Sequence, residues 1–253
     1  RVEVMAADAA LAADILAELQ ATIERENVYR GHVIALSPSQ MGMGPQTLVA
    51  FHELPTVTRD DVILPSGRLE LIERQTIGFS AHATTLLASG RSLKRGLLLH
   101  GPPGTGKTMT LMYLIGQMPG RTALLATGLG MGMIASVMQM ARVLQPAMVV
   151  LDDVDLIAQD RFSPHGGGPL LFELLNELDG LRDDCDVIFA LTTNRPEVLE
   201  VALTARPGRI DLAVELPLPD ADGRRQLLEV HARGLTLKDV DLDAIVRRTD
   251  GAS

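Results

Sequence analysis

The stretch GLLLHGPPGTGKT, residues 96–108, decides the fold that we predict for this chain. Its apolar first part has the character of a buried strand, and residues 101–108 fit the phosphate-binding pattern G-x-x-x-x-G-K-[ST]. In a strand–loop–helix unit, glycines let backbone N–H groups turn inward around a phosphate, and the following helix presents its positive end to it. Lys107 is then placed to reach the β- and γ-phosphates of a nucleotide, and Thr108 to ligate Mg²⁺. The alternative is a chance glycine turn with a surface lysine, which the flanking strand and helix disfavour.

Four further apolar runs follow this strand, and helical sequence separates most of them. They lie at residues 122–126, 147–152, 187–192 and 212–216. Continuous apolar strands that alternate with helices are typical of parallel sheets covered on both faces. We therefore predict a three-layer α/β fold of the P-loop NTPase type with a five-stranded parallel sheet.

A different pattern precedes the sheet. Apolar residues recur every four positions within residues 7–26, which predicts an amphipathic helix. Two strand-like runs at 32–37 and 47–54 are joined by a loop rich in glycine and proline, which predicts a β-hairpin. A proline-containing linker at 53–67 then leads into the main domain.

These patterns divide the chain into three predicted segments. Residues 1–55 form a helix-and-hairpin adaptor, residues 56–217 the nucleotide-binding α/β subdomain, and residues 218–253 the start of a helical lid. We expect this lid to be incomplete and the full protein to be longer.

The composition narrows the class of protein. The 253 residues are 46% hydrophobic and 22% charged, which is enough apolar material for a packed core. The single cysteine, Cys185, excludes an intrachain disulfide, so we expect a reducing compartment and a cytoplasmic location. No apolar stretch approaches the length of a membrane span. The net charge of −9 argues against a broadly basic nucleic-acid surface.

Acidic residues follow the strand predicted at 147–152. Asp152 and Asp153 are adjacent, and Asp155 comes two residues later. The carboxyl end of this strand is expected at the same sheet edge as the phosphate loop. There Asp152 could hold Mg²⁺ through water, and Asp153 could orient or deprotonate the attacking water, with Asp155 as a structural or interface carboxylate. The alternative is that polar residues merely end a buried strand.

Four motifs taken together carry a family resemblance. The stretches GPPGTGKT, VVLDDVD, TTNRPE and ARPGRID, in this order and spacing, resemble the AAA ATPases, hexameric ring motors of the AAA+ superfamily. The resemblance runs from about Asp61 to the end of the chain and implies ATP and Mg²⁺ as ligands. The nucleotide-binding residues that it implies are Pro103, Gly104, Thr105, Gly106, Lys107, Thr108, Met109, Asp61, Val62, Gly251 and Ala252.

The resemblance also assigns roles in catalysis. It implies that Asn194 hydrogen-bonds the attacking water and the γ-phosphate, and that Arg206 and Arg209 point at the neighbouring subunit's nucleotide. A guanidinium suits that role because it stays charged and can fork two hydrogen bonds to phosphate oxygens. Taken alone, Asn194 reads as a turn residue before a proline, and the arginines read as surface ion-pairing residues. The trans-acting arginines imply a homo-oligomer, expected to be a hexamer.

Two stretches depart from the family's pattern. The family usually has glutamate where this chain has Asp153, whose side chain is one methylene shorter; a misplacement of that size can slow catalysis. The family's motors also place an aromatic substrate-gripping motif after the second strand, whereas residues 127–133 here read TGLGMGM. Leu129, Met131 and Met133 could grip apolar polypeptide softly, or the stretch could be a flexible turn.

Three functions remain open on this basis. We favour an ATP-hydrolysing ring that remodels or translocates a protein client. The alternative is a slow-hydrolysing, nucleotide-gated assembly scaffold, which the two departures favour. A nucleic-acid remodeller is less favoured because the chain is acidic and lacks an aromatic-basic patch.

Overall fold

The computed structural model describes residues 4–38, 47–126, 133–155, 169–197, 209–236, 238 and 240–253. The chain divides into two compact units, Arg1–Arg30 and Gly31–Ser253. The first unit holds helix α1 (Ala9–Arg25), which begins where the Asp8 side chain accepts the Ala10 N–H at 3.0 Å. This aspartate is an N-cap, since it satisfies one of the free N–H groups of the first turn.

None of the helices in the described ranges combines the length and the apolar character that a membrane span requires.

The described part of the second unit contains seven strands, β1 (Val33–Pro38), β2 (Thr47–Phe51), β3 (Arg95–His100), β4 (Thr122–Ala126), β5 (Ala147–Leu151), β6 (Val187–Thr193) and β7 (Leu212–Glu215). They form one sheet in the order β2-β1-β4-β5-β6-β3-β7. Strand β2 pairs antiparallel with β1, and the other pairs are parallel. The α/β fold with a mostly parallel sheet is confirmed.

The predicted number of five strands is corrected to seven, because the hairpin joins the sheet. Ile34 of β1 lies beside Leu124 of β4 in a parallel pair. Ile34 and Leu36 are fully buried in the same apolar cluster as Leu124. The hairpin thus buries the apolar face of β1 by extending the sheet at one edge. The segment boundaries proposed from the sequence stay predictions.

Helices cover both faces of this sheet. The helices in the described part of the second unit are α2 (Arg68–Glu73), α3 (Phe79–Ala81), α4 (Ala83–Ala88), α5 (Lys107–Gly116), α6 (Ile134–Val143), α7 (Pro169–Asp179), α8 (Ala221–His231) and α9 (Leu242–Arg248). A π-helical turn, Arg74–Gly78, joins α2 to α3. Helices α8 and α9 contact each other and lie in the segment that the sequence predicts to be the lid.

The core consists of two apolar clusters, one on each face of the sheet. In β5, Val149 and Leu151 pack into the cluster that contains residues of α6 and α7. Met148 and Val150, which alternate with them, pack into the cluster that contains residues of α2 and α5. A strand buried on both faces accounts for the continuous apolar run in the sequence.

A buried arginine, Arg121, connects several elements at the end of the sheet opposite to Asp152 and Asp153. The Arg121 side chain is 4% exposed, and it donates to the Asp186 carboxylate at 2.7 Å. It also donates to the Ser80 hydroxyl at 2.8 Å and to the Ala147 carbonyl at 2.9 Å. One side chain therefore joins β5, the start of β6 and α3.

We expect Arg121→Met to lower the free energy of unfolding by about 3–5 kcal/mol, because Asp186 loses its buried partner. Urea denaturation of the parent and the variant measures this difference. Arg182→Met is the control, since Arg182 is 80% exposed and pairs with Asp184 at the surface; its expected effect is below about 1 kcal/mol. Equal losses in the two variants would contradict a structural role for Arg121.

Candidate active site

The phosphate-loop sequence forms a loop between the end of β3 and the first turn of α5. Gly104 has φ +80° and Gly106 has φ +87°, which is the left-handed region that favours glycine. Gly101 is confined by a neighbour, since a Cβ atom there would lie 2.1 Å from the Leu216 carbonyl oxygen. The loop therefore brings its backbone close to a helix N-terminus, where N–H groups and the helix dipole favour an anion.

Lys107 lies inside this loop, with 6% of its surface exposed. Its Nζ donates to the carbonyl oxygens of Gly101 and Pro102, both at 2.8 Å. Burial lowers the pKa of the ammonium group, while the carboxylates of Asp153, Asp152 and Asp155 act in the opposite direction. The lysine is thus a desolvated cation beside the acidic residues, and it fits the role of a phosphate ligand.

Asp152 follows β5 and contacts Thr108 in the first turn of α5, directly after the phosphate loop. The Thr108 hydroxyl donates to Asp152 at 3.1 Å, and the Thr192 hydroxyl at the end of β6 donates to its Oδ1 atom. A hydroxyl and a carboxylate are hard oxygen ligands of the kind that Mg²⁺ takes together with water and phosphate oxygens. The residues present therefore fit a magnesium ion held by Thr108 and Asp152. Among the described residues, no group of three or more His, Cys, Asp or Glu forms a metal cage.

Asp153 adopts a backbone conformation that is uncommon for its type. Its φ is +55°, and it is the only non-glycine residue with positive φ among those that the structure describes. Aspartate tolerates this left-handed region better than most residues. Its N–H donates to the Thr192 hydroxyl at 2.8 Å, and its Oδ1 accepts from the Asn194 amide at 3.0 Å. The predicted partners Asp153 and Asn194 are therefore in direct contact.

The environment of Asp153 favours proton uptake. Burial raises the pKa of its carboxyl group, and the neighbouring charges of Asp152 and Asp155 raise it further. The hydrogen bond from Asn194 and the charge of Lys107 act in the opposite direction. A raised pKa suits a carboxylate that accepts a proton from water.

Asp155 is a structural carboxylate in this site. It is 5% exposed, and its Oδ1 accepts from the Thr193 hydroxyl at 3.0 Å and from the Asn194 N–H at 3.2 Å. The residue thus fixes the backbone of Asn194 while Asn194 bonds Asp153. Of the two roles that the sequence left open for Asp155, the structural one agrees with this geometry.

A cavity of about 630 Å³ opens beside the phosphate loop. It lies between the linker, the loop and the lid helix α8. The residues predicted to bind nucleotide that line it are Asp61, Val62, Gly104, Thr105, Gly106 and Met109. Residues of α8 that the sequence analysis missed also line it, namely Asp222, Gly223, Gln226, Leu227, Val230 and His231. Their helical pattern was visible in the sequence, but the side of the helix that faces the loop was not.

Three of the residues predicted to bind nucleotide, Asp61, Gly251 and Ala252, have other surroundings than expected. The Asp61 carboxylate accepts from the N–H and hydroxyl of Thr58 at 2.8 and 2.6 Å and pairs with Arg233 after α8, so it joins the linker to the lid. Gly251 and Ala252 do not line the cavity. Their neighbour Ser253 lies against the loop, since a Cβ atom on Gly104 would be 2.4 Å from the Ser253 hydroxyl.

The structure describes one of the two predicted arginines. Arg206 lies outside the described residues. Arg209 is 7% exposed and forms a two-pronged ion pair with Asp179 of its own chain, with Nε–Oδ1 at 2.9 Å and Nη2–Oδ2 at 2.7 Å. Arg209 must leave Asp179 before it can reach a neighbouring nucleotide. Of the proposed gripping residues, Leu129 and Met131 lie outside the described residues, and Met133 is half-buried before α6.

Comparison with known proteins agrees with this site. Residues 97–218 match the model of the ATPase family associated with various cellular activities (AAA). The ATP-dependent zinc metalloprotease FtsH 3 of Synechocystis sp. is 36% identical over 229 residues, which cover 85% of this chain and 36% of that protein. The chloroplastic FTSH 1 of Oryza sativa is 36% identical over 218 residues, which cover 79% and 31%.

The chain thus spans about a third of the length of the curated relatives that it matches. The matched region begins in β3 and extends beyond β7, so it includes the phosphate loop, the acidic pair and Asn194. Residues 97–218 of the chain therefore form an ATPase module of the AAA family.

Proposed function

We propose that this chain assembles into a ring, expected to be a hexamer, in which ATP hydrolysis drives the remodelling or translocation of a protein client. The convergence of Lys107, Thr108, Asp152, Asp153 and Asn194 at one edge of the sheet carries the proposal. Relatives named ATP-dependent metalloproteases support a polypeptide client. The single cysteine supports a cytoplasmic location, and the net charge of −9 disfavours nucleic acid as the client.

Each residue has a defined task in the proposed reaction. The loop N–H groups and Lys107 hold the phosphates, and Thr108 and Asp152 hold Mg²⁺, which neutralises charge on the phosphate oxygens when bound. Asp153 orients the attacking water and accepts its proton, and Asn194 fixes the position of the Asp153 carboxylate. Lys107 supplies a positive charge beside Asp152 and Asp153. A further cation at the transferring phosphoryl group is assigned to Arg206 of a neighbouring subunit, in keeping with the motif ARPGRID.

A slow-hydrolysing assembly scaffold is the second candidate. The short side chain of Asp153 favours the scaffold function, because its Oδ1 atom already accepts a hydrogen bond from the Asn194 amide at 3.0 Å. In that function ATP binding organises the ring, and hydrolysis acts as a timer for disassembly.

The ATPase rate per subunit, measured against protein concentration, tests the proposal. We expect the rate to rise with concentration in parallel with ring mass by light scattering, because the neighbour completes the site. We also expect a further rise with reduced, carboxymethylated α-lactalbumin, an unfolded polypeptide, and none with single-stranded DNA or RNA. A rate that is independent of concentration would contradict the shared site. A slow, unstimulated rate in an assembled ring would favour the scaffold.

A further inference from the structure

The Thr192 hydroxyl occupies a central position in the acidic site. Thr192 is fully buried near the end of β6, and its Oγ1 accepts the Asp153 N–H at 2.8 Å while it donates its proton to Asp152. A hydroxyl has a single proton, so its two bonds have a fixed direction. One oxygen atom therefore links the backbone of one carboxylate residue to the side chain of the other.

The backbone of the same threonine holds the next residue. The Val154 N–H donates to the Thr192 carbonyl at 2.9 Å. Two successive N–H groups after Asp152 are thus held by Thr192, one through its side chain and one through its carbonyl. Between them lies the left-handed conformation of Asp153, which non-glycine residues seldom adopt.

The two carboxylates have different tasks, and Thr192 contacts both residues. Asp152 also meets the Thr108 hydroxyl at 3.1 Å, whereas Asp153 extends toward the Asn194 amide at 3.0 Å. Without the hydroxyl, Asp152 loses a buried hydrogen bond and the Asp153 N–H loses its partner. Both residues would then be free to rotate away from the phosphate loop and from Asn194.

We propose that Thr192 is a positioning residue that sets the placement of Asp152 for the metal ion and of Asp153 for the water. The inference rests on the proposed function, since it concerns the same reaction. Its hydroxyl contacts neither nucleotide phosphate nor water in the proposed reaction. It acts through the two aspartates, and it compensates for the short side chain of Asp153 by fixing that residue's backbone.

The chain offers a matched control in Thr122 of β4. Thr122 is also a fully buried strand threonine, and its hydroxyl accepts the Gly31 N–H at 3.1 Å and donates to the Leu144 carbonyl at 2.9 Å. It thus makes the same kind of paired bonds as Thr192, but it contacts none of the acidic residues. Thr122→Val therefore measures what the loss of such a hydroxyl does to the fold alone.

The test compares Thr192→Val, Thr192→Ser and Thr122→Val in the full chain. Mn²⁺ is the probe, and its affinity in the presence of ADP is measured by electron paramagnetic resonance. We expect Thr192→Val to weaken Mn²⁺ binding and to lower kcat, each by about ten- to a hundredfold, while KM and metal-free ADP binding stay within about twofold. Thr192→Ser should restore both, and Thr122→Val should retain both.

Unchanged metal affinity and kcat in Thr192→Val would overturn the proposal, as would equal losses in Thr122→Val. If the valine variant does not fold by circular dichroism, Thr192→Ala against Thr192→Ser decides in the same assays, because these two differ by the hydroxyl alone. A parent chain without ATPase activity would refute the proposed function. The Mn²⁺ measurement would still decide whether Thr192 positions Asp152.

Discussion

Replacing Asp153 with asparagine is expected to lower the ATPase rate per subunit by about 10²–10⁴-fold while ATP binding persists. The amide cannot accept a proton from the attacking water. It has nearly the same size as the carboxyl group, and asparagine also tolerates the left-handed φ of +55°. The variant therefore removes the base and leaves the backbone of the site as it is.

Steady-state hydrolysis measures the ATPase rate, and binding of a fluorescent ATP analogue measures the affinity for the nucleotide. Asp184→Asn is the control, because Asp184 is half-exposed, pairs with Arg182 at the surface and lies away from the acidic pair. If the parent is as slow as Asp153→Asn while both bind ATP, the carboxylate has no catalytic task and the scaffold function gains support. Loss of ATP binding in the variant would instead show that Asp153 contributes to nucleotide binding and not to the chemical step.

Arg206→Ala is expected to lower kcat by about 10³-fold or more, because an arginine at the transferring phosphoryl group stabilises charge in the transition state. Binding of ATP to the variant's own phosphate loop should remain. Mixing this variant with Asp153→Asn at equal amounts should restore about a quarter of the parent rate, since one interface in four then carries both intact residues. The ATPase rate of the mixture is the measurement.

The mixing experiment separates trans action from a structural effect. If the mixture is as inactive as either variant alone, Arg206 does not serve a neighbour. The same experiment with Arg209→Ala distinguishes the two arginines of the motif. Loss of Arg209 leaves the Asp179 carboxylate without its two-pronged ion pair, so we expect a loss of stability that mixing does not repair.

The sequence indicates which acidic and polar residues come together where position along a strand decides the geometry. Asp152, Asp153 and Asn194 follow strands of one parallel sheet, so their meeting beside Lys107 follows from strand direction alone. Thr192 was missed because, in the sequence, it is only the polar end of an apolar strand. Its importance comes from the left-handed turn at Asp153, which draws that residue's N–H toward β6.

The features that the sequence did not reveal depend on contacts between distant segments. No local pattern indicates that Ile34 pairs beside Leu124, so the hairpin was counted apart from the sheet. The lid residues of the cavity were missed for the same reason, because periodicity identifies helix α8 but not what it faces. The ion pair of Arg209 with Asp179 likewise joins the residues before β7 to the end of α7, which the motif itself does not reveal.

The order of the strands in the sheet affects when the nascent chain can fold during synthesis. Strand β3, which leads into the phosphate loop, pairs with β6 and β7, and both are translated later. Leu97, for example, finds its partners Ala190 and Leu212 only after those two later strands have been made. Such distant pairings are slow to form because loop closure precedes the stabilising contacts. The nucleotide site is therefore completed only after β6 and β7 have been made, and a nascent chain that ends before β7 exposes an apolar strand edge to chaperones and to other chains.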